Sequence, residues 1–171
     1  MKIYAALLAC CALALPGCSS FDQTSPNSIG AEAHPEARLY DALRNAKVDV
    51  DAALLSAEAG GKLVMIVMGA NWCHDSRAFA GWTETPKIGG LIREEYELVF
   101  VNVGMPQTKD GHNLDVAERF GIEVVGTPTV LIVSPIGEPI NADTAGTWRN
   151  AATRSEDEIY DELAGYANAV G

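Results

Sequence analysis

Six consecutive apolar residues, Leu63-Val64-Met65-Ile66-Val67-Met68, stand between Gly60-Gly61-Lys62 and Gly69-Ala70-Asn71. A strand that is apolar at every position has no face for water, so it belongs inside a sheet covered on both sides. Such a strand is central and needs other elements packed on each face. The rest of the chain supplies helices in alternation with further strands. A helix through Ala52-Ala53-Leu54-Leu55 to Ala59, capped by Asp49 or Asp51, stops at Gly60-Gly61. A second carries Ala78, Phe79 and Trp82; Pro86 kinks or restarts it, and Ile88, Leu91, Ile92 and Tyr96 continue at helical spacing.

Leu98 to Val103 and Thr129 to Val133 read as strands, separated by a polar loop, Gln107 to His112, and a helix capped by Asn113 and ended by Gly121. Pro135-Ile136-Gly137-Glu138 turns toward an expected edge strand from about Pro139, so that the last two strands form a hairpin. Ser155 and Glu158 make a capping box for a final helix with Ile159, Leu163, Tyr166 and Val170 on one face. Leu39, Tyr40 and Leu43 fit a short helix or an edge strand equally. The fold class is α/β, a central mixed sheet flanked by helices.

The charge balance, 12 Lys and Arg against 23 Asp and Glu, leaves −11. That excludes the basic face a nucleic-acid partner needs. Much of the acid, Glu156, Asp157, Glu158, Asp161 and Glu162, gathers at the start of the last helix, where the dipole favours it.

The N-terminus reads as an address. Lys2 precedes an apolar run of 13 residues, Ile3 to Leu15, the length of a secretory core and short for a membrane span. Leu15-Pro16-Gly17-Cys18 resembles a bacterial lipobox, in which Cys18 is acylated and begins the mature chain. Ala12-Leu13-Ala14 offers an ordinary cleavage site that leaves Cys18 a free thiol, and an uncleaved anchor is the third reading. The organisation expected is a lipoprotein signal over 1–17, a lipid anchor and Ser/Pro/Asn-rich tether over 18–35, and a folded domain over 36–171. Localisation follows as periplasmic, held to the envelope membrane through Cys18. Resemblance to bacterial lipoproteins implies the outer membrane, with a soluble periplasmic protein as the alternative.

Of four cysteines, Cys10 and Cys11 leave with the signal and Cys18 is committed to lipid, so Cys73 is the one thiol of the domain. It lies where the apolar strand ends and a helix begins. There, unpaired N–H groups and the helix dipole favour thiolate, the nucleophile of disulfide exchange. A protonated His74 adds to this effect and Asp75 opposes it. Ser76, one helical turn on, is placed to hydrogen-bond the thiolate. Trp72 either shields the thiol and lines a groove or packs in the core. Trp82, Trp148, Met65 and Met68 read as core or rim. His34, His74, His112, Asp75 and Cys73 are too dispersed for a metal site: only Cys73 and His74 are near in sequence, and adjacent helical side chains do not converge. No metal and no cofactor are expected.

Gly69-Ala70-Asn71-Trp72-Cys73-His74-Asp75-Ser76-Arg77, with Gly126-Thr127-Pro128-Thr129 before a later strand, resembles the thioredoxin superfamily over roughly residues 46–170. Asn113-Leu114-Asp115 adds likeness to a thioredoxin-like group common in bacterial envelopes. The resemblance implies a thioredoxin-like fold and thiol–disulfide chemistry with Cys73 as nucleophile. Thr127-Pro128 would be the superfamily's cis-proline loop, presenting backbone to an extended substrate. Ser76 stands where the family has its resolving cysteine, and Val67 where thioredoxins often carry a buried acid. The function implied is single-thiol exchange on thiol- or disulfide-containing envelope proteins or small thiols. The alternative is a redox-inactive binding or assembly module.

Overall fold

The computed structural model describes residues 34–170; the signal segment, Cys18 and most of the tether lie outside the described residues. Helix α1 spans Ala46–Gly60 and strand β1 Leu63–Gly69. Helices α2 (His74–Thr83) and α3 (Pro86–Glu95) follow, then β2 (Tyr96–Asn102). A two-residue hairpin, β3 (Gly104–Met105) and β4 (Asp110–Gly111), closes around a 3-10 turn. Helix α4 (Asp115–Glu118), strand β5 (Thr129–Val133) and helix α5 (Glu156–Val170) complete the order. No helix of the described residues is long and apolar enough to cross a membrane.

The sheet order is β2-β1-β5, with β1 parallel to β2 and antiparallel to β5. All seven residues of β1 are buried. Because side chains alternate along a strand, the sextet divides by parity between two cores. Val64, Ile66 and Met68 pack with Val50, Ala53 and Ala57 of α1 and Val116 and Ala117 of α4. Leu63, Met65 and Val67 pack with Phe79, Ile88, Ile92, Ile159 and Leu163 of α2, α3 and α5. The two-sided burial expected of the apolar run is its actual environment.

Four local readings need correction. Helix α1 starts at Asn45, whose side chain accepts from Val48 N at 3.3 Å, not at Asp49 or Asp51. Asp49 lies inside the first turn and pairs with Arg44 at 2.7 Å. Asn113 does not cap α4: it holds a left-handed φ of 57°, and its amide donates to Asn102 O at 2.9 Å. Leu39, Tyr40 and Leu43 form neither helix nor strand; Tyr40 is buried while Leu43 faces water.

The expected hairpin partner of β5 is also absent among the described residues, reduced to a single bridge between Val133 and Pro139. Asn141 takes over part of its work: its buried amide accepts from Ile132 N at 2.8 Å and donates to Val130 O at 2.9 Å. One carboxamide thus satisfies two backbone groups that a neighbouring strand would otherwise pair.

Other signals match closely. Gly61, at φ 67°, closes α1, and Thr85 caps α3 with Pro86 in its first turn. Glu158 Oε2 accepts from Ser155 N at 2.8 Å while Ser155 Oγ accepts from Glu158 N at 3.3 Å, the reciprocal capping box. Trp148 is fully buried edge-on to Phe79, and the half-buried Trp82 donates to Ala151 O at 3.3 Å.

Candidate functional site

The C-terminal end of β1 lies beside the N-terminal end of β5, with Met68 opposite Thr129. Antiparallel pairing therefore brings the corner after β1 against the loop before β5. Cys73 is the N-cap of α2, at φ −78° and ψ 126°. Its Sγ donates to Thr127 O at 3.3 Å. The Thr127–Pro128 peptide is cis. Cys73 is a free cysteine, but it is only 8% exposed: at a strand-to-helix corner, where side chains ordinarily face solvent, its sulfur is covered. The cover follows from the packing of the two loops: the thiol points into the Thr127 carbonyl instead of outward.

Trp72 is a rim residue, not a core one. The residue is 48% exposed, and its Nε1 donates to Gly104 O at 2.8 Å. Ser76 is fully buried, and its Oγ has no hydrogen-bond partner, so the expected bond to Cys73 does not form. Three residues along α2 the side chain has turned inward, into the space left by Gly69. A Cβ on Gly69 would lie 2.6 Å from the Tyr40 ring and 2.7 Å from Ser76 Oγ, so only glycine fits there. His74 is exposed, and its ring nitrogen meets His34 Nε2 at 2.9 Å and Glu36 Oε1 at 3.4 Å. Asp75 accepts from Ala152 N at 3.0 Å, tying α2 to the turn before α5. His112 is engaged elsewhere, with Asn102 Oδ1 at 3.1 Å.

Residues without an earlier role hold this corner in place. Tyr40 O–H donates to Ser76 O at 3.1 Å, and burial, with the Cys73 thiol nearby, pushes its phenol well above its ordinary range. Asn71 exchanges two hydrogen bonds with the Tyr40 backbone, at 3.2 and 2.9 Å. Arg77 donates to Trp72 O at 3.1 Å and to Glu36 Oε2 at 2.9 Å. The same pair lowers the Glu36 carboxyl and raises the Arg77 guanidinium, chiefly through their hydrogen bond. Charge on Cys73 also raises the Arg77 guanidinium, as a smaller cause than its bond to Glu36. Arg77 was visible in the motif, but its helical position carried no sign of which loop it would reach.

A helix-capping cysteine set against a prolyl loop, on a sheet covered by helices on both faces, defines a protein of the thioredoxin class. Residues 44–135 match the family model described as Thioredoxin-like, and the chain belongs to that family. Its structure is similar to that of a disulphide isomerase from Xylella fastidiosa Temecula1, with 31% identity and a TM-score of 0.68 over 75% of this chain and 96% of that one. A thioredoxin from Thermus thermophilus aligns at 20% identity and a TM-score of 0.49, over 71% of this chain and 85% of that one. No functionally curated protein matches the sequence. Family and site together support thiol–disulfide redox chemistry in general terms.

Proposed function

We propose that the protein carries out single-thiol disulfide exchange in the cell envelope, with Cys73 as nucleophile. The observation that carries this reading is the Cys73 Sγ hydrogen bond to Thr127 O, which sets the sulfur beside the backbone an extended substrate would pair with. In the first step the Cys73 thiolate attacks one sulfur of a substrate disulfide. A mixed disulfide forms, and the other substrate sulfur leaves as thiolate. Ser76 cannot form an S–S bond, so release falls to a second thiol, either an external small thiol or another cysteine of the substrate. That thiol takes over the bond to the substrate sulfur and returns Cys73 as thiolate. The second route is isomerisation and changes no net oxidation state. Trp72 borders the approach, Arg77 brings positive charge to the start of α2, to which a protonated His74 would add, and Thr127 and Pro128 line the substrate strand.

We place the domain in the periplasm, tethered by acylated Cys18 to the outer membrane. Its partners are envelope proteins or small molecules bearing thiols or disulfides. Intact mass of the mature chain tests the anchor: an acylated Cys18 terminus supports it, and a chain beginning at Leu15 overturns it.

The burial of Cys73 favours a second reading, a binding module that uses the groove without turnover. The two separate on non-reducing gels of protein isolated from cells. Exchange predicts disulfide-linked partners that disappear in Cys73→Ser, together with reduction of a glutathione mixed disulfide. A binding module predicts partners that Cys73→Ser still captures and a thiol that alkylates no faster than free cysteine.

A further inference from the structure

We propose that His34, Glu36 and His74 form a site for a divalent transition ion of the Zn(II) type on the outer side of α2. Nothing in the exchange reading requires it, and by spacing alone His34 and His74, forty residues apart, are too dispersed to join. The tertiary fold brings their ligand atoms together, all within 4.8 Å of one another. His34 Nε2 lies 2.9 Å from His74 Nε2, and His74 Nε2 lies 3.4 Å from Glu36 Oε1. Tetrahedral zinc, with bonds of about 2.0–2.2 Å to nitrogen and carboxylate oxygen, sets its ligand atoms roughly 3.3 Å apart. Small side-chain adjustments therefore convert the cluster into three corners of a tetrahedron, with the fourth open to solvent. Imidazole and carboxylate donors without thiolate suit zinc and its borderline neighbours.

Orientation argues in the same direction. His34 Nδ1 faces its neighbour's carbonyl, Pro35 O, at 3.2 Å. A proton held there leaves Nε2 as the lone-pair nitrogen, the arrangement usual for a metal-bound histidine. Glu36 Oε2 accepts from Arg77 Nε at 2.9 Å, fixing the carboxylate while Oε1 turns toward His74. Arg77 also reaches Oε1, at 3.4 Å, a long contact that a bound cation would compete with.

The segment bearing two of the ligands is itself pinned to α2. Ala37 N donates to Arg77 O at 3.0 Å, and the Pro35 backbone passes so close to Gly81 that a Cβ there would fall 2.4 Å from it. Cys73 is not a ligand, because its thiol donates a hydrogen bond to Thr127 O and stands outside the cluster.

The test is Zn(II) titration by calorimetry on the full chain in detergent, free of any affinity tag. Cys10, Cys11 and Cys18 are replaced by serine so that outlying thiols do not compete. One ion per chain is expected. His34→Ala and His74→Ala should each weaken binding at least about 10-fold, and Cys73→Ser should leave it unchanged. The Co(II)-substituted protein should show no thiolate charge-transfer band. His34→Gln, at the margin of the domain, decides the matter if His74→Ala fails to fold. No binding, binding that survives loss of either histidine in a folded variant, or binding that depends on Cys73 would overturn the proposal. Each of these outcomes is independent of whether Cys73 exchanges disulfides.

Discussion

Glycine at position 81, in the eighth residue of α2, costs the helix backbone entropy that alanine would not. On helical propensity alone, Gly81→Ala should stabilise the domain by about 1 kcal/mol. The structure cancels or reverses that gain. The added Cβ would stand 2.4 Å from Pro35 C and O and 2.6 Å from Glu36 N. These are backbone atoms and cannot swing aside as a side-chain tip does. Relief requires lifting the segment from α2, which also releases the hydrogen bond from Ala37 N to Arg77 O. Overpacking of this kind costs about 1–3 kcal/mol. Gly165 provides the control: it lies within α5, and a Cβ there meets nothing within 4 Å. Gly165→Ala therefore keeps the full propensity gain of about 1 kcal/mol. The two substitutions, chemically identical and both helical, should differ by about 1–3 kcal/mol. Urea unfolding followed by far-ultraviolet circular dichroism measures this directly. Equal stabilities within about 0.5 kcal/mol would show that the segment does not press on α2 as described. The same variant should also weaken Zn(II) binding, since the displaced segment carries His34 and Glu36.

Asn141→Ala strips the partners from Ile132 N and Val130 O at the edge of β5 and should destabilise the domain by about 2–4 kcal/mol in urea, well beyond a surface change. A loss under about 1 kcal/mol would mean water replaces the amide freely. Ser76→Ala removes a buried hydroxyl that has no partner and should be neutral or stabilising by up to about 1 kcal/mol. Ser76→Cys should allow oxidation to a disulfide with Cys73 and add insulin-type reductase turnover; the absence of both would refute the placement of the two residues one turn apart. Glu158 is held below the ordinary glutamate range chiefly by the Ser155 amide and then by the Ser155 hydroxyl. A lowered carboxylate stabilises the fold above its unfolded value, and that contribution fades as acid takes the pH down through the lowered folded value. Glu158→Gln should therefore flatten the acid limb of the stability–pH profile, and an unchanged limb would exclude the capping box as its source.

Features set by local sequence were legible. The apolar sextet required a doubly covered strand, Pro86 and Ser155 through Glu158 announced helix starts, and Gly61 and Gly121 marked stops. These depend on side-chain alternation, backbone freedom and reach over three or four residues. The readings that failed depended on distant partners. Asn113 is a good capping residue by type, yet the Asn102 carbonyl claims its amide. An edge strand after Pro139 fitted the pattern, but Asn141 occupies the hydrogen bonds it would have made.

The same division holds at the site. From order alone, the sequence put a lone thiol at a strand-to-helix junction and a prolyl loop ahead of a later strand. Pairing of β1 with β5 was needed to bring them to 3.3 Å, and that same contact buries the sulfur. Only the folded chain could unite His34 and Glu36 with His74, or deliver Arg77 to the loop before Cys73. Nothing in a linear pattern records which side of a helix a remote segment will cross; packing against Gly81 decides that.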